Sequence, residues 1–158
     1  MKNWVSDKMF SPGEVELEER LGRELLLNGG FDSWYGGVPD NWEIDGNNAG
    51  DPDVLQTYPG TCNFFSNGDA ARLKQSVLKI GRKYRCRIEM GNKVYCEGRI
   101  TNGGESVFYF NIAEAVLTTN VFEFVCSADN YFCIEWSTFG GGADFGFNSV
   151  SVKEILYI

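Results

Sequence analysis

The stretch that decides the fold is ELLLNGGFDSWYGGVPDNWE, residues Glu24–Glu43, in which an apolar run leads into Asn-Gly-Gly. Phe31 and Asp32 follow, before a short loop. Leu25–Leu27 is predicted to begin the first strand. A second stretch, FGFNSVSVKEI (Phe145–Ile155), is its counterpart near the other end and is predicted to close the same sheet. The sequence therefore predicts that the first and last strands lie side by side.

The residues between these two stretches have a β pattern. Lys83–Met90 is the clearest strand, because every second residue is apolar and the residues between are charged. Gly91-Asn92 predicts a hairpin turn into the next strand, and Asn102-Gly103-Gly104 predicts another turn. Short strands at about ten-residue spacing are typical of a sandwich. The other predicted strands are Leu73–Leu78, Lys93–Thr101, Ser106–Ile112, Val121–Cys126, Tyr131–Thr138 and Phe145–Val152.

The composition fits one all-β domain. The chain has 158 residues with 43% hydrophobic residues, enough for a core, and its 15% aromatic residues and 19 Gly favour strands joined by tight turns. A net charge of −8 disfavours binding to nucleic acid or to an anionic membrane. No apolar run approaches the roughly 20 residues of a membrane span. The first residues lack the apolar core of a signal peptide, so we expect synthesis in the cytoplasm.

The chain lacks the residues that several kinds of catalysis need. With no His, the chain has no Ser-His-Asp or Cys-His device, and it has no Walker-type or dinucleotide-binding motif. Loop carboxylates occur, but their neighbours single out none of them as a general acid, and loop Asp residues commonly make turns. We therefore expect no catalytic residues and no enzymatic activity. These acids are Asp32, Asp40, Glu43, Asp45, Asp51 and Asp53.

The chain has five Cys, which is an odd number, and no Cys-x-x-Cys motif. Cys86, Cys96 and Cys126 fall at the apolar phase of predicted strands, which favours reduced, buried thiols that pack as small hydrophobic side chains. The alternative is a Cys86–Cys96 bridge between neighbouring strands.

Residues 24 to 155 resemble the carbohydrate-binding-module type of β-sandwich, also called the galactose-binding-like jelly roll. The resemblance lies in Leu26–Asp32 with Pro39 and Trp42, in the segment Leu73–Met90, and in the last strand. It implies a jelly-roll sandwich of two antiparallel sheets over residues 24–158, with Trp42 in the core. The matching positions in the middle and at the end are Gln75, Val77, Leu78, Gly81, Tyr84, Phe147, Val150, Val152 and Ile155.

The resemblance also implies a structural calcium between the first and last strands, with Asp32 and Asn148 at the ligand positions. Asn148-Ser149 stands where the family often has Asp-Asp, which removes charged oxygens that calcium prefers. The alternative is that Asp32 and Asn148 bond to each other or turn the backbone.

Two groups of residues are candidates for sugar binding, which needs flat aromatic faces beside fixed polar groups. The first lies on the outward phase of the strands, where a mixed face is also what an ordinary solvated sheet presents, and consecutive jelly-roll strands often lie in opposite sheets. It comprises Arg85, Arg87, Tyr95, Glu97, Arg99, Tyr109, Asn111 and Glu135. The second lies in the loops at the rim and comprises Trp34, Tyr35, Trp42 and Tyr58.

Residues 1–23 are predicted to form an N-terminal arm. Ser11-Pro12-Gly13-Glu14 is typical of a helix start and predicts a short helix over residues 12–22, whereas the phase of Val15 and Leu17 predicts a short strand. We expect the arm to dock on a neighbouring subunit through its apolar side chains. These are Trp4, Met9, Phe10, Val15 and Leu17.

Three functions follow from these expectations. The first is a non-catalytic virion accessory protein, such as a phage capsid decoration, head-fibre or tail component, which uses the domain for adhesion or assembly and has capsid or tail subunits and surface glycans as partners. The second is a stand-alone carbohydrate-binding module of a polysaccharide-degrading system. The third is a jelly-roll glycosidase or lyase, which needs a pair of convergent acids.

Overall fold

The computed structural model describes residues 18–45, 54–56, 58–65, 72–91, 96–112, 117–136 and 144–157. Within these residues it has thirteen strands and no helix, and eleven of the strands form two antiparallel sheets, which confirms the predicted jelly-roll sandwich. The strands are β1 Glu19–Glu24, β2 Trp34–Tyr35, β3 Val38–Pro39, β4 Glu43–Asp45, β5 Val54–Leu55, β6 Cys62–Phe65, β7 Arg72–Ser76, β8 Lys83–Gly91, β9 Cys96–Asn102, β10 Glu105–Ile112, β11 Thr118–Val125, β12 Tyr131–Trp136 and β13 Asp144–Tyr157.

The two sheets have different strand orders. The first sheet runs β11-β8-β13-β6-β5, with β1 also paired to β13, and the second runs β10-β9-β12-β7-β4. β2 and β3 form a separate small hairpin. Strands that follow one another in sequence therefore often lie in opposite sheets.

The core lies between the sheets because the long strands turn their apolar phase inward. On β8 the predicted set of Tyr84, Cys86, Ile88 and Met90 is buried, as expected. Phe132, on β12 of the second sheet, is also buried and lies 6.4 Å from Phe124 of the first sheet between ring centroids. Removing this apolar surface from water is the main force that holds the layers together.

The two ends of the chain lie side by side, as the sequence predicted. The Leu25 amide donates to the Val152 carbonyl at 3.0 Å, and the Val150 amide donates to the Gly29 carbonyl at 2.8 Å. The first strand itself is Glu19–Glu24 rather than Leu25–Leu27.

The predicted helix over residues 12–22 is wrong for residues 19–22, which belong to β1. Glu19 pairs with Tyr157 and Leu21 pairs with Ile155 in antiparallel register. A short helix is marginal by itself, so the hydrogen bonds offered by the edge of β13 override the capping signal. Residues 1–17, with all five apolar side chains of the arm, lie outside the described residues.

The predicted hairpin at Gly91-Asn92 is also wrong. β8 pairs with β11 and β13, whereas β9 pairs with β10 and β12, so the chain changes sheets between Gly91 and Cys96. The alternative bridge from Cys86 to Cys96 is wrong for the same reason, and Cys86 is a free, buried thiol. The turn at Asn102-Gly103-Gly104 is confirmed: it joins β9 to β10, with left-handed φ angles of 61° and 83° at its two glycines.

Cys126 is also a free, buried thiol, as predicted, and so are Cys62 and Cys133.

Candidate functional site

A row of polar side chains crosses all five strands of the second sheet on the face that points away from the core. The strand registers place Tyr109 beside Arg99, Arg99 beside Glu135, Glu135 beside Arg72, and Arg72 beside Asp45. We call these five residues the charged row. With about 4.8 Å between neighbouring strands, the row is about 19 Å long.

Glu135 is the centre of the charged row. Its carboxylate accepts bonds from Arg72 Nε at 3.1 Å and from Arg99 Nε at 2.9 Å, and it also contacts Arg99 Nη2. The side chain of Glu135 is only 6% exposed, so the two arginines cover it. Hydrogen bonding to Glu135 raises the pKa of the Arg99 guanidinium, which stays charged.

Tyr109 stands at one end of the row and is 70% exposed. Hydrogen bonding to Ser106, and then to Arg99, lowers the pKa of its phenol. These contacts fix the hydroxyl end of the side chain and leave the ring open to solvent, which is how an aromatic platform for a ligand is built.

A second row beside the first forms the floor of a cleft. Thr101 and Cys133 point away from the core but are buried, and they lie at the bottom of a cleft of about 270 Å³. Burial raises the pKa of the Cys133 thiol to about 11, so it is neutral at pH 7. Lys74 lies 4.9 Å from the Tyr131 ring centroid and bridges to Asp45 and Glu43. The other residues around the cleft are Arg72, Gly103, Gly104, Asp129 and Glu135.

The structure brings together only part of the first predicted group. Arg99, Tyr109 and Glu135 share this face, and Glu97 and Asn111 pair on the same two strands, β9 and β10, where only their backbone is described. Tyr95 lies outside the described residues.

Arg85 and Arg87 do not join this face, because β8 belongs to the first sheet. Arg85 Nε donates to Glu123 at 2.8 Å, and Arg87 pairs with Glu89 on its own strand. The predicted group is therefore split between the two outer surfaces of the sandwich.

The second predicted group lies at the rim. Tyr35 is 86% exposed at the tip of the β2–β3 hairpin, and Trp34 Nε1 donates to the Phe31 carbonyl at 2.8 Å. Tyr58 is exposed, but Trp42 is buried 5.6 Å from Phe31 between ring centroids, which confirms that it belongs to the core.

Arg72, Lys74 and Tyr131 belong to the cleft but were not predicted as site residues. The signal was present for the first two, because Leu73–Leu78 was predicted as a strand and Leu73 is apolar, which sets Arg72 and Lys74 on the outward phase. The sequence did not indicate that this strand, β7, pairs with β12.

The two predicted calcium ligands, Asp32 and Asn148, have different neighbours in the structure. The Asp32 carboxylate lies near Gly30 and Gly60, whereas the Asn148 amide lies near Gly91. Among the described residues, no three Cys, Asp or Glu side chains are grouped to hold a metal ion. One carboxylate and one amide supply too few charged oxygens for calcium. Calcium here stays a prediction and has no part in the function proposed below.

Comparison with solved structures identifies the fold. The chain matches a family 4 carbohydrate-binding module with a TM-score of 0.54 and 17% identity, over 81% of this chain and 98% of that one. The fold is that of the carbohydrate-binding modules. A family 61 module, solved with β-1,4-galactotriose, matches with a TM-score of 0.52 and 15% identity, over 83% and 98% of the two chains. A family 22 xylan-binding domain from Paenibacillus barcinonensis matches with a TM-score of 0.54 and 10% identity, over 84% and 95%.

The similarity to carbohydrate-binding modules is structural. No protein-family model and no curated protein matches the sequence. In the part of the chain that the structure describes, no helix is long and apolar enough to cross a membrane.

Proposed function

We propose that the chain is a non-catalytic glycan-binding module whose site is the outer face of the second sheet. The observation that carries this proposal is the charged row, which sets the exposed ring of Tyr109 in line with four charged side chains beside a cleft of about 270 Å³. Sugars are recognised by aromatic faces that contact their C–H surfaces and by fixed polar groups that bond their hydroxyls.

Hydrogen bonds among its own side chains hold this face before any ligand arrives. Arg99 is held by Glu135 and by Ser106 Oγ at 3.3 Å, and Arg72 is held by Glu135. Because these side chains are already ordered by the sheet and by each other, binding costs less conformational entropy than it does with free side chains.

Three acids of this face, Glu43, Asp45 and Glu135, are engaged with cations, which favours binding over catalysis. Glycoside hydrolysis commonly needs two carboxylates on either side of the scissile bond. The Glu135 oxygens accept guanidinium N–H groups, and Asp45 and Glu43 bridge to Lys74 at 3.5 and 3.7 Å. The glycosidase alternative has no comparable support.

The test is titration of the full chain against a glycan array, with Tyr109→Ala as the diagnostic variant. Loss of the aromatic platform should weaken binding about tenfold, because an aromatic contact contributes roughly 0.5–1.5 kcal/mol beyond its buried area. Tyr35→Ala is the matched control, since Tyr35 is also exposed but lies at the rim. If Tyr35→Ala loses binding and Tyr109→Ala does not, the site is at the rim; if no glycan binds, the proposal fails.

As the setting of this module we propose the virion, where it would be an accessory protein of a capsid or tail. The proposal rests on the acidic net charge of −8, the reduced thiols and the predicted docking arm. A stand-alone module of a polysaccharide-degrading system is equally consistent with the fold. Deleting residues 1–17, which removes the five apolar side chains of the arm but keeps β1, should prevent incorporation into the particle. Normal incorporation of the truncated chain would contradict the virion setting.

A further inference from the structure

Each acid around the cleft has at least one carboxylate oxygen engaged by a neighbouring group. Asp129 Oδ1 accepts from the Tyr131 amide at 2.8 Å and from Asn102 Nδ2 at 3.2 Å, so this carboxylate orders the loop before β12. Asp45 bridges to Lys74 at 3.5 Å. Glu135, the third acid, lies beneath two arginines.

The two arginines of the charged row differ in what they leave for a ligand. Arg99 uses all three of its nitrogens, with Nε and Nη2 on Glu135 and Nη1 on Ser106. Arg72 uses only Nε in its hydrogen bonds within the described part of the chain, and its side chain is 48% exposed. Its two terminal nitrogens therefore keep a planar fork of N–H groups that matches the two oxygens of a carboxylate.

Exposure also decides the sign of charge that a ligand meets at the centre of the face. The group of Arg72, Arg99 and Glu135 has two positive charges and one negative charge. The negative one is the least exposed, at 6% against 48% and 30% for the arginines. A ligand at this point therefore meets the two guanidinium groups before the carboxylate, although the whole chain has a net charge of −8.

From the free fork of Arg72 and the burial of Glu135 between two more exposed arginines, we infer that the charged row binds a glycan that contains uronic acid, with the sugar carboxylate on Arg72 and a sugar ring on Tyr109. The inference rests on the proposed function and names its ligand class. Because the chain as a whole repels a polyanion, binding to a polyuronate would report this site and not general charge attraction.

The test uses the full chain and matched pairs of glycans. Polygalacturonate, alginate and glucuronoxylan are each titrated calorimetrically beside a carboxyl-reduced counterpart, which keeps the sugar chain and removes the charge. We expect at least one of these acidic glycans to bind about tenfold more tightly than its reduced form, since hydrogen bonds between ionised groups are about twice as strong as neutral ones.

Arg72→Met, which keeps the length of the stem, should weaken binding to the acidic glycan about tenfold to a hundredfold. Arg72→Lys keeps the charge without the fork and should lose several-fold. Arg87→Met is the matched control, because Arg87 is 49% exposed, close to the 48% of Arg72, but lies on the outer face of the other sheet. The Arg87→Met variant should bind as the wild type does.

Two other outcomes distinguish a failure of the uronate inference from a failure of the proposed function. If the reduced glycans bind as tightly as the acidic ones, or if both Arg72 variants bind normally while Tyr109→Ala does not, the uronate inference is overturned and the glycan-binding module stands. If neither acidic nor neutral glycans bind, the proposed function fails with it. The melting temperature of each variant is measured to check that the variant is folded.

Discussion

Glu24 Oε1 accepts a hydrogen bond from the Val152 amide at 2.8 Å, which joins the first strand to the last through a side chain. The same oxygen accepts from the Leu25 and Leu26 amides at 3.1 and 3.2 Å. The register of β1 on β13 shifts between Leu21 and Glu24, so the carboxylate adds acceptors for backbone amides beside the irregular pairing, and it shares the Leu25 amide with the Val152 carbonyl.

Replacing Glu24 should therefore weaken the junction of the two ends. We expect Glu24→Ala to lower the free energy of unfolding by about 1–2 kcal/mol, because hydrogen bonds to a charged group are stronger than neutral ones but this carboxylate is partly solvated. Glu24→Gln keeps one acceptor oxygen and should lose less. Urea denaturation measures both, with Glu105→Ala on the exposed start of β10 as a control that should change by less than about 0.5 kcal/mol.

Gly29 should tolerate no side chain. A Cβ at this residue would lie 2.2 Å from the Val150 carbonyl oxygen, which the Val150–Gly29 backbone pairing holds in place. We expect Gly29→Ala to cost about 3 kcal/mol or more, because the clash is with backbone and cannot relax by a rotamer change. Gly37→Ala is the comparison: its φ is +85° but the space around it is open, so only the left-handed strain of about 1 kcal/mol applies. Equal melting temperatures for the two variants would contradict this account.

Glu135→Gln should destabilise the fold and also disturb the site. It removes the negative charge between Arg72 and Arg99 while leaving both guanidinium groups in place. Breaking a fully buried ion pair costs about 3–5 kcal/mol, but both arginines here are partly solvated, so we expect about 1–2 kcal/mol. Thermal unfolding measures the loss, and Glu43→Gln, which removes an exposed carboxylate at the end of the same face, should have little effect.

Stability should fall in acid partly through Glu123. Hydrogen bonds from Lys83 and Arg85 hold the pKa of this carboxylate below its ordinary value of 4.5. A lowered pKa in the folded state means that the contribution is fully present above about pH 4.5 and is lost as the pH falls through the folded pKa. Melting temperatures between pH 7 and about pH 3 should therefore fall less steeply for Glu123→Gln than for the wild type. Parallel curves would show that this ion pair contributes nothing.

Local patterns were enough to predict the fold class and much of the core. The alternation in Lys83–Met90 correctly assigned the buried face of β8, and the two glycines after Asn102 correctly predicted the turn between β9 and β10. Each of these features depends only on residues that are close in sequence, so it can be predicted from the sequence alone.

The site was predicted only in part, because it depends on which strands are neighbours. Arg99 and Tyr109 were predicted with Arg85, from the preceding strand, but β8 and β9 lie in different sheets. Arg72 was not predicted, although it contacts Glu135, which lies 63 positions away in sequence. The burial of Glu135 beneath two arginines likewise has no local signal, since a single Glu in a strand is ordinarily solvated.

The sequence by itself determined the inward face of β8, the turn between β9 and β10, and that the two ends of the chain meet. The tertiary structure alone decided the order and register of the strands, and with them the row from Tyr109 to Asp45. The reason is that backbone hydrogen bonds are chemically the same between any two strands, so the choice of partner is made by the packing of the whole core.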